Sequence, residues 1–416
     1  MAGTEGSGLS AAGLTRLSEV FQRQVDQRRI PGAVVLIGRR GRVVFHEAYG
    51  FRDREAGSVM PLDGIFRLSS MTKPLVALGA MMLVEEGRLR LDAAVGEFLP
   101  MLKDMKVAVP APDGTLKLAP PARPPMILDL LRHTSGIVNG HLGTSAVKRL
   151  YAGAGILPSG THNRAEYLRA LGELPLEFEP GSTFAYGASM DVVGHIIEEV
   201  SGLELDSFMR RRVTEPLGMP DTVFQASPSC SSRIAEPQVD VATGKRPAMR
   251  DPTLKPARLS GSGNMVSSAR DWARFCDVLL GAGKVDGKRI VSRKTIDLVT
   301  VDQLPPAAAF DPENASAWGP ALPSPVFGHG FGLGFAVRTH AGRATWQVTS
   351  AGSVRREFSS GSIRRKTFSR SCSRSLRRSW CPTFTSCDPS STAPWRTRAG
   401  RVCNHWPMAE PTATDR

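Results

Sequence analysis

The stretch that most constrains the fold of this chain is residues 65–84, where a short extended run leads into a long apolar segment. Ser70 and Lys73 lie at the junction, three residues apart. On a helix that begins there, this spacing places both side chains on one face. The serine is then at the helix N-terminus, where unpaired N–H groups and the positive pole of the helix dipole meet solvent. The sequence therefore predicts a serine and a lysine side by side at the start of an apolar helix.

This pair has the residue types of a nucleophile and its base. A serine hydroxyl is a poor nucleophile until a neighbouring group takes its proton, and a lysine takes a proton only in its neutral form. The N–H groups at the helix start can also hold the oxyanion that forms when a carbonyl is attacked. The junction therefore predicts a nucleophile site with its base next to it.

The same Ser-x-x-Lys spacing occurs a second time, at Ser145 and Lys148. That copy follows a stretch rich in glycine and small residues, with no strand before it and no long apolar helix after it. We therefore expect the first copy to be catalytic and the second not to be.

Hydrophobic periodicity and turn residues predict the elements around this junction. The two β-rich runs near the N-terminus are joined by a short Arg- and Gly-containing turn, which indicates a hairpin. The predicted elements are a helix over 14–27, strands over 33–38 and 43–50, a Pro-rich crossing over 110–125 into a mostly helical region, a helix after Tyr186 closed by Gly202, a serine-capped helix from 267, and β-structure over 331–337 and 344–349.

Six short motifs occur in a fixed order over residues 10 to about 354. They are Pro31-Gly32-Ala33-Val34, Phe66-Arg67-Leu68-Ser69-Ser70-Met71-Thr72-Lys73, Leu130-Leu131-Arg132-His133-Thr134-Ser135-Gly136, Pro180-Gly181-Ser182 leading to Tyr186, Pro216-Leu217-Gly218-Met219, and Gly328-His329-Gly330-Phe331-Gly332-Leu333-Gly334. This ordered set resembles the serine β-lactamase and penicillin-binding-protein superfamily. The resemblance is closest to the class C β-lactamase-like carboxylesterases, the family VIII esterases.

The resemblance implies an α/β fold of the α+β type, with an antiparallel central sheet flanked by helices and a second, mostly helical domain that roofs the cleft. We expect residues 1–100 to form the N-terminal part of the α/β domain with the nucleophile helix. Residues 101–220 are then the helical domain, and residues 221–354 return to the α/β domain. Residues 355–416 are expected to be an atypical, basic Ser/Arg-rich tail.

The resemblance also implies roles for three residues. Ser70 attacks the acyl carbonyl, Lys73 takes or orients its proton, and Tyr186 completes a relay that protonates the leaving group and later activates water. Whether Lys73 or Tyr186 is the base stays open. The family's second motif has Asn or Ser two residues after the tyrosine, whereas this chain has Ala188 there.

The family's third motif is missing from its expected place. It is K-T-G in the lactamases and H-x-G or W-x-G in the esterases, and it is expected just after Val354, where the chain reads Arg355-Arg356-Glu357-Phe358. His340-Ala341-Gly342 matches H-x-G in letters but falls in a predicted hairpin turn. The third-motif residue is therefore left unassigned.

These departures favour an esterase that cleaves small to medium acyl esters through an acyl-enzyme on Ser70. The altered second motif and the missing K-T-G remove groups with which lactamases grip a β-lactam. β-Lactamase or D-alanyl-D-alanine peptidase-type activity is the alternative. The G-x-S-x-G signature occurs nowhere in the chain, which excludes an α/β-hydrolase.

The last 62 residues differ in composition from the rest. Residues 355–416 carry 13 Lys and Arg against 4 Asp and Glu, which leaves 40 against 35 for residues 1–354, so the tail holds most of the net charge of +14. Its Ser/Arg runs and scattered cysteines cannot bury enough apolar surface to fold. We expect a disordered or frame-shifted segment. A catalytically dead hydrolase body with a nucleic-acid-binding tail is a third hypothesis.

Other classes of function find no support in the sequence. It has no C-x-x-C pair, no H-E-x-x-H and no Walker-type loop, so we expect neither a metal nor another cofactor. No apolar stretch is long enough to span a bilayer, and the N-terminus has no signal-peptide pattern. We therefore expect a soluble, cytoplasmic protein whose partner is a small-molecule ester, without membrane or nucleic-acid partners. The oligomeric state is not indicated.

Overall fold

The computed structural model describes residues 8–39, 41–110, 115–156, 160–241, 243–313 and 328–339. Within these ranges the α-helices are α1 (Ala11–Asp26), α2 (Thr72–Glu85), α3 (Val95–Phe98), α4 (Ile127–Leu131), α5 (Ala146–Gly153), α6 (Arg164–Gly172), α7 (Ser189–Ser201), α8 (Leu205–Met209), α9 (Glu215–Leu217), α10 (Ala269–Leu280) and α11 (Arg293–Val299). The strands are β1 (Gly32–Arg39), β2 (Arg42–Asp53), β3 (Ser58–Val59), β4 (Ile65–Arg67), β5 (Val107–Pro110), β6 (Leu116–Ala119), β7 (Thr183–Phe184), β8 (Val266–Ser268), β9 (Lys284–Val285), β10 (Lys288–Arg289), β11 (Ala309–Phe310), β12 (His329–Phe331) and β13 (Ala336–Arg338). Short 3-10 helices span Ser69–Met71, Pro100–Leu102 and Pro228–Arg233, and a π-helical turn spans Arg210–Thr214.

The N-terminal sheet is an antiparallel hairpin covered by a helix. β1 pairs with β2, with Gly32 opposite Gly50, and β3 extends the sheet on the other side of β2. Helix α1 packs on this sheet through Phe21, whose ring stacks on Tyr49 with 5.6 Å between centroids. The helix and the hairpin predicted from the sequence are confirmed.

Helix α2 is the buried axis of the fold. Every residue from Thr72 to Leu83 is buried, so the helix is enclosed on all sides rather than along one stripe. It packs against α7 and α8, and Gly79 allows the ring of Phe208 to approach closely. The apolar helix predicted after residue 70 is confirmed.

Two further helices begin or end at the residues that the sequence indicated. Helix α7 ends at Gly202, which has φ +73 as a left-handed C-cap. Helix α10 is capped by Ser268, whose hydroxyl accepts a hydrogen bond from the N–H of Asp271 at 3.4 Å. Both predictions are confirmed.

The β-structure predicted over 331–337 is wrong in detail, because the chain turns within it. Strands β12 and β13 form an antiparallel pair, with Phe331 opposite Ala336. Gly334 lies in the turn with φ +79, and a Cβ at this position would overlap the Cβ of Ala77 on α2. The hydrogen bond from the N–H of Gly332 to the carbonyl of Phe335 closes this turn, and the close approach of α2 leaves no room for a side chain at 334.

The Pro-rich crossing also contains structure that the sequence did not indicate. Strand β5 pairs antiparallel with β6, with Val107 opposite Ala119. The predicted strand over 344–349, the H-x-G candidate at His340 and the tail 355–416 lie outside the described residues.

The described residues mix helices with mainly antiparallel strand pairs, as the predicted fold class requires, and one pair, β7 with β11, is parallel. All of them fall within one compact unit, and the domain boundaries predicted at 100, 220 and 354 stay predictions. In the described ranges, no helix is long and apolar enough to cross a membrane.

Candidate active site

Ser70 lies where strand β4 turns into helix α2. Antiparallel pairing with β8 holds the strand, and the N–H of Leu68 donates to the carbonyl of Met265 at 2.9 Å. Ser69 has φ +47, a conformation that is uncommon outside glycine. This sharp turn presents Ser70, half-buried, at the start of the helix.

Lys73 lies one helical turn further on and contacts the serine. Its Nζ is 3.1 Å from the Oγ of Ser70 and donates to the carbonyl of Ser262 at 2.8 Å. The lysine is only 5% exposed, so few water molecules compete for these contacts. A nucleophile and its base need this hydrogen-bond distance.

Tyr186 completes the cluster from another part of the chain. It lies between strand β7 and helix α7, and its ring centroid is 4.8 Å from the Nζ of Lys73. The structure therefore brings Ser70, Lys73 and Tyr186 together in one site. Their catalytic roles stay predictions.

The carbonyl that holds Lys73 belongs to a tightly anchored loop. The hydroxyls of Ser260 and Ser262 both donate to the buried carboxylate of Asp191, near the start of α7. Between them, Gly261 lies so close to the helix that a Cβ would overlap the carbonyl oxygen of Met190. The start of α7 thereby fixes the position of the Ser262 carbonyl.

Arg258 accompanies the buried charge of Asp191. Its Nη1 is 3.5 Å from a carboxylate oxygen, and its guanidinium carbon is 3.8 Å from the ring centroid of Tyr167. Cation–π contact and ion pairing together make a buried guanidinium tolerable. The sequence analysis missed this network, because its members are about 70 residues apart and form no motif.

His133, from the Leu-Leu-Arg-His motif, is also part of the site. It is fully buried, and its ring centroid is 4.7 Å from that of Tyr186. Burial holds the pKa of this histidine well below its usual range, and any positive charge on Lys73 lowers it further. The imidazole is therefore neutral at physiological pH. The sequence analysis noted its motif but assigned it no role.

The second Ser-x-x-Lys copy has a different environment. The hydroxyl of Ser145 accepts a hydrogen bond from the N–H of Lys148 as the N-cap of α5. The Nζ of Lys148 lies 2.7 Å from Asp311, 2.8 Å from Glu313 and 3.7 Å from Glu177. Burial alone would lower the pKa of Lys148, but hydrogen bonds to Asp311 and Glu313 raise it. This lysine stays charged, which does not suit a base.

Comparison with known proteins identifies the family. The Beta-lactamase family profile matches residues 17–356. Protein Rv1367c of Mycobacterium tuberculosis is 33% identical over 318 residues, which are 76% of each chain. Esterase EstB of Burkholderia gladioli is 37% identical over 220 residues, so the match spans 52% of this chain and 53% of EstB.

Solved structures agree with this result. EstCE1, described as a hydrolase with promiscuous acyltransferase activity, superimposes with a TM-score of 0.62 and 28% identity, covering 79% of this chain and 83% of EstCE1. Both the resemblance and the fold class expected from the sequence are confirmed. The chain therefore belongs to the Beta-lactamase family, as an enzyme of its hydrolase and acyltransferase kind.

Proposed function

We propose that this protein is a carboxylesterase that cleaves small to medium acyl esters through an acyl-enzyme on Ser70. The observation that carries the proposal is that the Nζ of Lys73 contacts both Ser70 and the ring of Tyr186. The Nζ of Lys73 is 3.1 Å from the Oγ of Ser70 and 4.8 Å from the ring centroid of Tyr186. A serine and a lysine at hydrogen-bond distance, with a phenol ring beside the lysine, supply the nucleophile, the base and the second proton carrier that acyl transfer to serine uses.

In the acylation step, the Oγ of Ser70 attacks the acyl carbon while its proton passes towards Lys73. The tetrahedral intermediate then collapses, and the bond to the alcohol oxygen breaks. Tyr186 donates a proton to that oxygen, so the alcohol leaves in neutral form, and the proton that Lys73 took from Ser70 passes to Tyr186. The carbonyl of Ser262 keeps the lysine nitrogen directed at the serine through their 2.8 Å hydrogen bond.

In the deacylation step, water attacks the acyl carbon and loses a proton to the same relay. The bond to Ser70 breaks, the serine oxygen recovers a proton, and the carboxylic acid is released. An alcohol that replaces water in this step receives the acyl group instead. The acyltransferase activity named for EstCE1 supports acyl transfer to an acceptor other than water as a second outcome of the same acyl-enzyme.

Ester substrates are favoured over β-lactams by the second motif. Ala188 stands two residues after Tyr186, and its methyl side chain has no donor or acceptor to offer a lactam amide. The name of Esterase EstB, 37% identical over half of this chain, supports the same choice. β-Lactamase or peptidase-type activity is therefore the second candidate.

The test uses p-nitrophenyl acetate and butyrate, with a fluorophosphonate probe for the acylated serine. We expect Ser70→Ala to abolish both turnover and labelling, because losing the nucleophile removes most of the rate enhancement. Ser145→Ala is the matched control, since it has the same motif spacing but removes only the α5 cap and a hydrogen bond to Glu177, away from Ser70. Labelling that persists in Ser70→Ala and disappears in Ser145→Ala would overturn the assignment.

A further inference from the structure

The backbone on both sides of Tyr186 is held by one residue, His133. The N–H of Ala185, just before the tyrosine, donates to the His133 carbonyl at 2.9 Å. The N–H of Gly187, just after it, donates to the His133 Nδ1 at 3.4 Å. The two aromatic rings lie 4.7 Å apart between centroids. His133 therefore contacts the tyrosine segment through its backbone, its ring nitrogen and its ring face.

The backbone of His133 is in the left-handed region, which costs conformational free energy in a non-glycine residue. Such strained residues cluster at functional sites. Its φ is +57, and it is one of five non-glycine residues with positive φ in the described part of the chain. Another of the five is Ser69, beside the nucleophile. One left-handed residue, Ser69, therefore directly precedes Ser70, and another, His133, hydrogen-bonds the backbone on both sides of Tyr186.

The ring of His133 also has a buried nitrogen without a hydrogen-bond partner among the described residues. Because Nδ1 accepts a hydrogen bond from Gly187, the neutral ring carries its proton on Nε2. Nε2 is that buried nitrogen. A buried polar group without a partner is rare in native structures and calls for an explanation.

Ser135, from the same motif as His133, also hydrogen-bonds the segment that follows Tyr186. The hydroxyl of Ser135 is 2.9 Å from that of Ser189, the first residue of α7. The segment from Ala185 to Ser189 is therefore attached to the motif at both ends. Tyr186 is the side chain that this attachment orients towards Lys73.

We propose that His133 is a positioning residue for Tyr186, acting through the hydrogen bond from Gly187 to its Nδ1. The inference rests on the proposed function, because it takes Tyr186 as the proton carrier. Small errors in the placement of such a group reduce the rate strongly without weakening substrate binding. The chemical role of His133 is thus to keep a neutral acceptor at this point.

The test compares two replacements that both tolerate positive φ, His133→Gly and His133→Asn. Both remove the ring, but the asparagine oxygen can take the place of Nδ1 as the acceptor for Gly187. With p-nitrophenyl butyrate, we expect the glycine variant to lose about tenfold or more in kcat with KM within about twofold. The asparagine variant should keep kcat within about threefold of the wild type.

A double-mutant cycle with Tyr186→Phe separates positioning from a general structural effect. Tyr186→Phe alone should lower kcat by about a hundredfold or more, as expected for loss of a proton carrier. If His133 acts through Tyr186, the glycine substitution adds less than about twofold to that loss. Thermal unfolding of each variant checks that the compared proteins are folded.

Equal kcat for the glycine and asparagine variants would overturn the proposal, as would a glycine effect that multiplies the Tyr186→Phe loss. If the glycine variant does not fold, His133→Ser takes its place, because its hydroxyl is too short to reach Gly187. A serine variant as active as the asparagine variant would also overturn it. If Tyr186→Phe keeps the wild-type kcat, the proton-carrier role in the proposed function fails first, and the positioning proposal falls with it.

Discussion

Replacing Lys148 with methionine should destabilise the protein strongly while leaving its chemistry intact. Lys148 is fully buried, and its Nζ is within 2.8 Å of both Asp311 and Glu313. Methionine keeps much of the volume but leaves these carboxylates and Glu177 without their cation. Breaking a buried ion pair from one side costs about 3–5 kcal/mol in unfolding free energy.

This loss converts into a measurable shift of Tm. An unfolding entropy of about 2.1 cal/mol/K per residue over the roughly 340 residues of the family match gives about 0.7 kcal/mol/K. Lys148→Met should then lower Tm at pH 7.5 by roughly 4–7 °C. Lys294→Met is the control, since Lys294 is exposed on α11 and its replacement should change the free energy of unfolding by less than about 0.5 kcal/mol.

The destabilisation should depend on pH in a defined direction. In the wild type, burial raises the pKa of Glu177, whereas hydrogen bonds from Lys148 and Thr144 lower that of Glu313 to about 2. Without the lysine, Glu177 loses a neighbouring charge that lowers its pKa, so its folded-state pKa rises further above its unfolded value. Such a carboxyl destabilises the fold fully above its folded pKa and not at all below its unfolded pKa. The difference in Tm should therefore be largest above pH 7 and shrink as the pH falls towards 4.

Thermal unfolding followed by circular dichroism from pH 4 to 8 checks this, with p-nitrophenyl butyrate turnover measured per folded enzyme at a temperature below both transitions. We expect kcat within about threefold of the wild type, because the lysine does not touch the reacting atoms. If folded Lys148→Met lost as much turnover as Ser70→Ala, the conclusion that Lys148 takes no part in the chemistry would be refuted. An unchanged Tm at pH 7.5 would refute the energetic part.

Three other outcomes follow from the structure and sequence. Ester hydrolysis should exceed nitrocefin hydrolysis in kcat/KM by at least about a hundredfold, close to 3 kcal/mol of transition-state binding, and comparable values would reverse the choice between esterase and lactamase. Gly334→Ala should destabilise the fold by about 2–4 kcal/mol, because φ is +79 and the added methyl meets Ala77, and an unchanged urea midpoint would contradict this. Translating the gene in the other two frames downstream of codon 354 should yield β-patterned sequence with an H-x-G or W-x-G triplet. Absence of such a frame, together with a fully active 416-residue protein, would show the frame-shift hypothesis to be wrong.

Local sequence signals were enough to predict the parts of the site that lie within one short segment of the chain. Ser70, in the 3-10 turn that precedes α2, and Lys73, in the first turn of α2, come together because they are three residues apart, and α2 begins where the apolar run begins. The N-terminal hairpin, the glycine that ends α7 and the serine that caps α10 are also properties of short segments. The ordered motifs added Tyr186 by resemblance, although nothing local connects it to Lys73.

The contacts that aim these groups come from residues far apart in the chain. The Ser262 carbonyl that holds Lys73 is 189 residues away, and the His133 nitrogen that accepts from Gly187 is 54 residues away. The turn at Gly334 was hidden for the same reason, since the alternation of apolar residues continues through it, whereas its contacts with Ala77 and with the Leu131 carbonyl come from distant parts of the chain. Periodicity and caps report what a segment does by itself, whereas these contacts depend on which surfaces meet when the core packs. The sequence alone therefore determined the Ser70–Lys73 pair and the family, and the tertiary structure decided what holds the pair in place.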